Sequence, residues 1–258
     1  MDVVILCGGQ GSRMREETEY RPKPMVEVGG RPLLWHIMRL FGHHGLKRFV
    51  LCLGYRGSMI KDYFLNYEAL TQDCTVAIGD GRHVSYHGTS DPFAFEVTLA
   101  DTGVDTMTGG RVKRIEHHVT GDTFIVTYGD GLSNIDVRTL VAFHQSHGRL
   151  ATVTTVQPAS RFGMTTIDGA SRVVSFSEKP KVEGWVNAGF LVFDRRVFDY
   201  LDGGDPQVLE QQPLERLAAE GQLMAYKHRG FFFPVDTYRD YLHVNEMWKK
   251  GEAPWKVW

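Results

Sequence analysis

Val3-Val-Ile-Leu6 runs straight into Cys7-Gly-Gly-Gln-Gly-Ser-Arg13. A β-branched apolar run of this length suits a buried parallel strand. A glycine knot directly after such a strand lets backbone N–H groups approach phosphate closely. This opening points to an α/β sheet with its ligand at the carboxyl end of the first strand. Residue identities exclude the two commonest phosphate loops. The dinucleotide pattern G-x-G-x-x-G, aligned on Gly9 and Gly11, needs a glycine where Met14 stands. The acidic residue expected after it is also missing, since the segment that follows is Arg21-Pro-Lys-Pro24. The Walker pattern needs Gly-Lys, and the chain contains no Gly-Lys pair.

What remains is a different cradle. Gly8, Gly9 and Gly11 admit phosphate oxygens, and Ser12 adds a hydroxyl donor. Arg13 adds a fork for two phosphate oxygens, and Lys23 is a point charge stiffened by Pro22 and Pro24. Such a set suits a triphosphate whose α-phosphorus is presented to attack.

Hydrophobic periodicity extends the α/β reading. Helical spacing over Arg31–Phe41 is followed by a possible stop at Gly45, a strand over Phe49–Leu53 and a helix over Ser58–Leu65. Residues 75–111 change character. Thr75–Ile78, Val84–His87 and Phe95–Leu99 read as short strands in a β-rich elaboration that ends at Thr108-Gly-Gly-Arg111. The α/β rhythm returns with Phe124–Tyr128, Asp136–His147, Ala151–Val156, a hairpin of Thr165–Ile167 with Val173–Phe176, and Val186–Phe193. Helices follow around Arg196–Leu201 and Pro213–Glu220, and the last spans Tyr238–Lys249 before a short tail. The expected fold is α/β, with a Rossmann-like, doubly wound, mixed but mostly parallel sheet, in one domain over residues 1–258.

A second constellation stands at Tyr128-Gly129-Asp130-Gly131, where a glycine-flanked carboxylate ends a strand and can reach Mg²⁺. Asp236 is the best partner carboxylate, although its position equally suits the N-cap of the last helix.

The motifs G-G-Q-G-S-R and R-P-K-P-M-V-E-V-G-G-R-P-L resemble the signature of the sugar-phosphate nucleotidyltransferases. L-W-H-I-M, G-Y-R-G, D-T-G-V-D-T-M-T-G-G-R-V-K-R, T-Y-G-D-G, R-F-G, E-K-P-K and the terminal G-E-A-P-W-K resemble the glucose-1-phosphate cytidylyltransferase branch nearly end to end. The resemblance implies the nucleotide-diphospho-sugar transferase fold, CTP and glucose 1-phosphate as substrates, and a homo-oligomer, a hexamer in this family, contacting through 75–111. It implies catalytic roles for Arg13, Lys23, Asp130 and Asp236, with Mg²⁺ on the two aspartates. It places the nucleotide on Leu6, Gly8, Gly9, Gly11, Ser12, Arg13, Lys23, Thr106, Arg111 and Gly129. It places the sugar phosphate on Tyr128, Gly163, Glu178, Lys179 and Asn187. The Arg111 guanidinium suits a cytosine carbonyl or a phosphate, and an intersubunit contact is the alternative. Ser12, Cys7, Ala188, Phe232 and Gln212 depart from the family pattern, and the last three concern the sugar end. The competing functions are uridylyl or thymidylyl transfer on the same fold and, further off, glycosyl transfer, which often carries Asp-x-Asp where this chain has Gly-Asp-Gly.

Bulk properties exclude other classes. A net charge of −2 gives no general affinity for nucleic acid or membrane, and no apolar run approaches a membrane span. The three cysteines, without C-x-x-C, suit free thiols in a cytoplasmic protein. His144 and His147 could chelate, but no carboxylate or cysteine stands near them in sequence. There is no G-x-S-x-G, and so no ground for a covalent serine.

Overall fold

Val3, Val4 and Ile5 have no solvent exposure, and the strand they form is the middle of everything that follows. The structure, a computed structural model, describes residues 1–79, 83–88, 94–158, 162–178, 180 and 184–258. Seven strands make the central sheet: β1 (Asp2–Leu6), β2 (Arg48–Leu53), β3 (Glu96–Asp101), β4 (Thr123–Tyr128), β5 (Ala151–Val156), β6 (Val186–Asp194) and β7 (Leu223–Lys227). Their spatial order is β7-β5-β6-β4-β1-β2-β3. Only β6 runs antiparallel, to both β4 and β5, and the remaining pairs are parallel. The sheet is therefore mixed and mostly parallel, as expected.

Helices cover both faces, which is why the inner strands are continuous apolar runs rather than alternating ones. The longer helices are α1 (Leu33–His43), α2 (Gly57–Leu65), α3 (Thr108–Arg114), α4 (Val137–His147), α5 (Gln212–Ala219) and α6 (Tyr238–Lys250), the last of which packs with Val28 and Trp255 in a separate cluster. On one face Leu34, Ile37 and Phe41 of α1 and Leu140 of α4 pack on Val3, Ile5, Leu51, Ile125 and Val192. On the other, Val112 of α3 and Leu217 of α5 pack on Val4, Val50, Val126 and Leu191. Asp136 caps α4 by accepting from the N–H groups of Arg138 and Thr139, and left-handed Gly148 (φ 61°) ends it.

Several elements differ from expectation. Thr108–Arg114 is a helix, not the close of a β-rich loop, because tertiary packing overrides the poor helix propensity of Gly109-Gly110. Of the elaboration, Cys74–Ala77 and His83–Tyr86 form a separate two-stranded ribbon, whereas Glu96–Asp101 joins the main sheet as its edge. Strand β7 and the short Phe232–Pro234 strand lie where the sequence pattern predicts no element, and residues 195–200 form a 3-10 helix.

The C-terminal A-P-W-K docks through Trp255, which is buried against Val28, Leu33 and Val244. Its indole Nε1 donates to His36 Nδ1 at 3.3 Å, and His36 Nε2 donates to the Val28 carbonyl at 2.8 Å. An indole only donates and a carbonyl only accepts, so this pair fixes a neutral imidazole. Burial lowers the His36 pKa to about 4, and burial likewise lowers His144, which hydrogen-bonds Thr152 Oγ1 at 2.9 Å, to about 4. An unfolded histidine titrates near about 6.5. Between those values the unfolded chain binds more protons, so stability is complete above about pH 6.5 and falls as pH drops toward about 4. Urea unfolding at pH 7 and pH 5 should show the wild type losing stability and His36→Asn losing distinctly less. Equal losses would remove His36 from the account.

Candidate active site

The chain leaves β1 to build β2 and β3 on one side, then returns to place β4 on the other side of β1. That reversal opens a crevice outside the carboxyl ends of β1 and β4. Leu6 and Tyr128 lie side by side there, and Gly129 N donates to Leu6 O at 3.1 Å. Two cavities occupy the crevice. The first is lined by Cys7–Gly11, Lys23, Thr106, Met107 and Gly129, among others. The second is lined by Asn187, Ala188, Glu210, Phe232, Asp236 and neighbours. Arg13, Tyr128 and Asp130 line both.

A charge cluster sits at their junction. Lys23 Nζ stands 2.6 Å from Asp130 Oδ2 and 2.7 Å from Asp236 Oδ1. Arg13 grips Asp236 with both ends of its fork, at 3.1 and 3.0 Å. The Arg13 side chain is 72% exposed, so its pair is screened and adds little stability, whereas the Lys23 side chain is 10% exposed. Each member arrives for a local reason. Lys23 opens a short turn after Pro22, held by Met25 N on Pro22 O at 2.8 Å. Asp130 stands two residues past the end of β4. Asp236 is delivered by Phe232–Pro234, which pairs antiparallel with Gly131–Ser133, and Val235 N donates to Asp130 O at 3.0 Å. The N-cap of α6 is Thr237, in a capping box with Asp240, so Asp236 is not the cap and its carboxylate turns to the cations.

The glycines serve protein packing as well as openness. A Cβ on Gly8 would lie 2.1 Å from Arg111 Nη1, and one on Gly129 2.6 Å from Pro24 Cγ. Gly11 takes a φ of 64°, the left-handed region that favours glycine. Ser12 is exposed on a 3-10 turn and does not line either cavity.

Arg111 is buried, and its terminal nitrogens are saturated by the protein. Nη1 donates to Leu53 O, Thr102 Oγ1 and Gly103 O at 3.0, 2.8 and 2.7 Å. Nη2 donates to Gly8 O and Val104 O at 3.2 and 3.1 Å. The guanidinium thus ties the ends of β1 and β2 to the segment 102–104, of which Val104 lines the first cavity, and burial lowers its pKa. Gly109 and Gly110 let α3 lie on the segment 204–209: a Cβ there would meet Gln207 O at 2.9 Å and Gly204 O at 2.8 Å. Thr106 is buried on the same wall. Cys7 and Cys52 are buried beneath it, and burial raises the Cys7 thiol well above its ordinary range and Cys52 to about 12, so both remain protonated.

In the second cavity Asn187 and Tyr128 come together, and Glu210 joins them. Tyr128 and Thr108 each give a hydroxyl hydrogen to the Glu210 carboxylate, Thr108 at 2.6 Å. Glu210 carries no motif in sequence, and only the fold brings Leu209-Glu210 against Tyr128. Gly163 and Glu178 approach one another, with Glu178 Oε2 3.1 Å from where a Gly163 Cβ would stand, but neither is among the described residues lining the cavities. Lys179, and Arg161 of the R-F-G motif, lie outside the described residues. Of the departures, Ala188 and Phe232 are on the cavity wall, whereas Gln212 accepts from Gln207 Nε2 at 3.1 Å and does not line it. His144 and His147 both bond Thr152 Oγ1, at 2.9 and 2.7 Å.

Residues 2–249 match the family model described as nucleotidyl transferase. The chain is 46% identical over 260 residues, with all of both chains covered, to glucose-1-phosphate cytidylyltransferase of Salmonella typhi. It is 44% identical, again over the whole of both chains, to the probable glucose-1-phosphate cytidylyltransferase of Bacillus subtilis. Among solved structures, HddC of Yersinia pseudotuberculosis complexed with GMP-PN superposes with a TM-score of 0.69 at 22% identity, covering 96% of this chain and 99% of that one. That likeness shows the fold.

Arg111→Met should leave several buried carbonyls unpaired, at a cost of roughly 3 kcal/mol, and lower Tm by roughly 6–12 °C. A thermal melt in the absence of ligand measures this. An unchanged melt would show that the five hydrogen bonds are not structural.

Proposed function

The chain belongs to the nucleotidyl transferase family, and on that footing we propose that it transfers CMP from CTP to glucose 1-phosphate, giving CDP-glucose and pyrophosphate. The observation that carries this reading is the pair of cavities meeting at Arg13, Tyr128 and Asp130, with cations at the junction. A phosphate oxygen of the sugar phosphate forms a bond to the α-phosphorus of CTP. The bond from that phosphorus to the bridging oxygen breaks in line, and its electrons leave with pyrophosphate. The attacking group is already ionised at neutral pH, so no strong base is needed. The obstacle is repulsion between two anions, and positioned positive charge is the remedy.

Lys23 and Arg13 supply that charge from the protein. Gly8, Gly9 and Gly11 line the cavity that would take the triphosphate, and Tyr128 and Asn187 the one that would take the sugar. Lys179 is proposed for the sugar phosphate on the resemblance of its E-K-P-K motif. Exposed apolar residues on the hairpin of Met164–Ile167 with Val173–Ser177, namely Met164, Ile167, Val174 and Phe176, support the homo-oligomeric state proposed with this reading.

Asp130 and Asp236 fit Mg²⁺, which takes one or two carboxylates together with phosphate oxygens. When bound there, Mg²⁺ supplies charge neutralisation of the phosphates. The Lys23 ammonium, however, already lies between the two carboxylates. It has to turn away before a cation can share them, and nucleotide phosphate is the anion that would draw it.

Pyrophosphate release measured across four nucleoside triphosphates and several sugar 1-phosphates tests the reading. CTP with glucose 1-phosphate is expected to be best, and preference for UTP or dTTP would transfer the proposal to those reactions. Lys23→Ala and Asp130→Ala are each expected to lower turnover by at least about 100-fold. Wild-type rates from either would remove its role. Mn²⁺ binding followed by electron paramagnetic resonance without nucleotide should be weak in the wild type and at least about tenfold tighter, about 1.4 kcal/mol, in Lys23→Met. Equal affinities would show that Lys23 does not compete for the carboxylates.

A further inference from the structure

We infer that Glu210 is a specificity-determining residue of the sugar subsite, its carboxylate accepting a hydrogen bond from one sugar hydroxyl whose oxygen faces the Asn187 amide. The inference rests on the sugar-phosphate reading above and names the residue by which that cavity would distinguish sugars.

The donors and acceptors on one wall of the cavity are already paired in a fixed order. Asn187 Oδ1 is occupied by Gly189 N at 2.7 Å. The Asn187 side chain also bonds the Tyr128 hydroxyl, and because that hydroxyl gives its one hydrogen to Glu210, the Asn187 amide nitrogen is the donor. Tyr128 in turn donates to Glu210 Oε1, and burial with the nearby Glu210 charge raises its pKa, which keeps the proton on the phenol. From the other side, Leu209 N donates to Thr108 Oγ1 at 2.9 Å, and Thr108 Oγ1 donates to Glu210 Oε2 at 2.6 Å. Two directed chains of hydrogen bonds therefore converge on one carboxylate.

A hydroxyl carries one hydrogen, so Tyr128 and Thr108 have no donor left for a ligand. An ionised carboxylate has about four lone-pair sites, and these chains fill two. Among the described residues the wall thus presents unfilled acceptor capacity on Glu210 and the second N–H of the Asn187 amide. A ligand group that donates and accepts at once answers both, and a sugar hydroxyl is such a group.

The carboxylate is also held still. Its segment is stitched to α3 by Gly109 N on Gln207 O at 2.9 Å and by the Arg114 fork on Asp205 at 2.9 and 2.6 Å. A fixed acceptor discriminates by stereochemistry better than a mobile one, because it cannot follow a displaced hydroxyl.

The test is kcat/KM with CTP for glucose 1-phosphate and its 2-, 3-, 4- and 6-deoxy analogues, in the wild type and in Glu210→Gln. The wild type should reject one of the four analogues by at least about 100-fold, as a site built to bond a hydroxyl does. In Glu210→Gln, kcat/KM for glucose 1-phosphate should fall at least about tenfold through KM for the sugar, with KM for CTP little changed, and that one discrimination should shrink by the same factor. Glu210→Asp keeps the charge but shortens the reach, and the same single-hydroxyl loss is expected, so the outcome does not depend on one variant folding. A uniform drop for all five sugars, or a rise confined to KM for CTP, would overturn the inference. No CDP-sugar from glucose 1-phosphate in the wild type would instead overturn the reading beneath it.

Discussion

The Lys23 ammonium between Asp130 and Asp236 is the interaction around which the crevice is arranged. Lys23 is 107 residues from Asp130 and 213 from Asp236 in sequence, so the cluster exists only if most of the fold is in place. Two carboxylates converging alone would repel. The cation makes their approach tolerable, and it lies on a turn stiffened by Pro22 and Pro24. The pairing of Phe232–Pro234 with Gly131–Ser133 exists at the same place and brings Asp236 to it. Much of the C-terminal third thereby answers to a residue near the start of the chain.

Lys23 and Arg111 are both largely buried cations on the first cavity, yet they are held in opposite ways. Lys23 faces anions on a flexible stem, and an ammonium with anionic partners can exchange them for other anions. Arg111 faces carbonyls and one hydroxyl fixed in the backbone framework, and its planar fork matches them. The first is suited to move during a reaction cycle. The second is suited to keep a wall in one shape while it does.

The sequence was legible where burial on both faces forced a continuous apolar run, as in Val3–Leu6 and Phe124–Thr127, and where glycine, proline and charge met in one short motif. Strand β7, Leu-Met-Ala-Tyr-Lys, was not, since an edge strand that is half exposed needs neither a pure apolar run nor clean alternation. The helix Thr108–Arg114 was hidden by Gly109-Gly110, which argue against a helix until the segment 204–209 is seen lying on them. Arg111 illustrates a different limit. Its presence near nucleotide was expected from a resemblance, but no spacing says that five acceptors of the same chain take its hydrogens. Glu210 was invisible for the same reason, because its partners Thr108 and Tyr128 are 102 and 82 residues away.

The two cavities divide chemistry from choice. What they share, Arg13, Tyr128 and Asp130, belongs to or adjoins the charge cluster, where any nucleotidyl transfer has the same electrostatic problem. What they do not share differs in kind. The first wall joins glycine backbone, packed against Arg111 and Pro24, to the side chains of Lys23, Thr106 and Met107. The second presents the side chains of Phe232, Asn187 and Glu210 and the small Ala188. Ala188 and Phe232, where this chain departs from its family's pattern, fall on that second wall. A change of sugar is therefore physically easier for this architecture than a change of reaction, since one alters a few polar atoms facing a hydroxyl and the other would require dismantling the charge cluster.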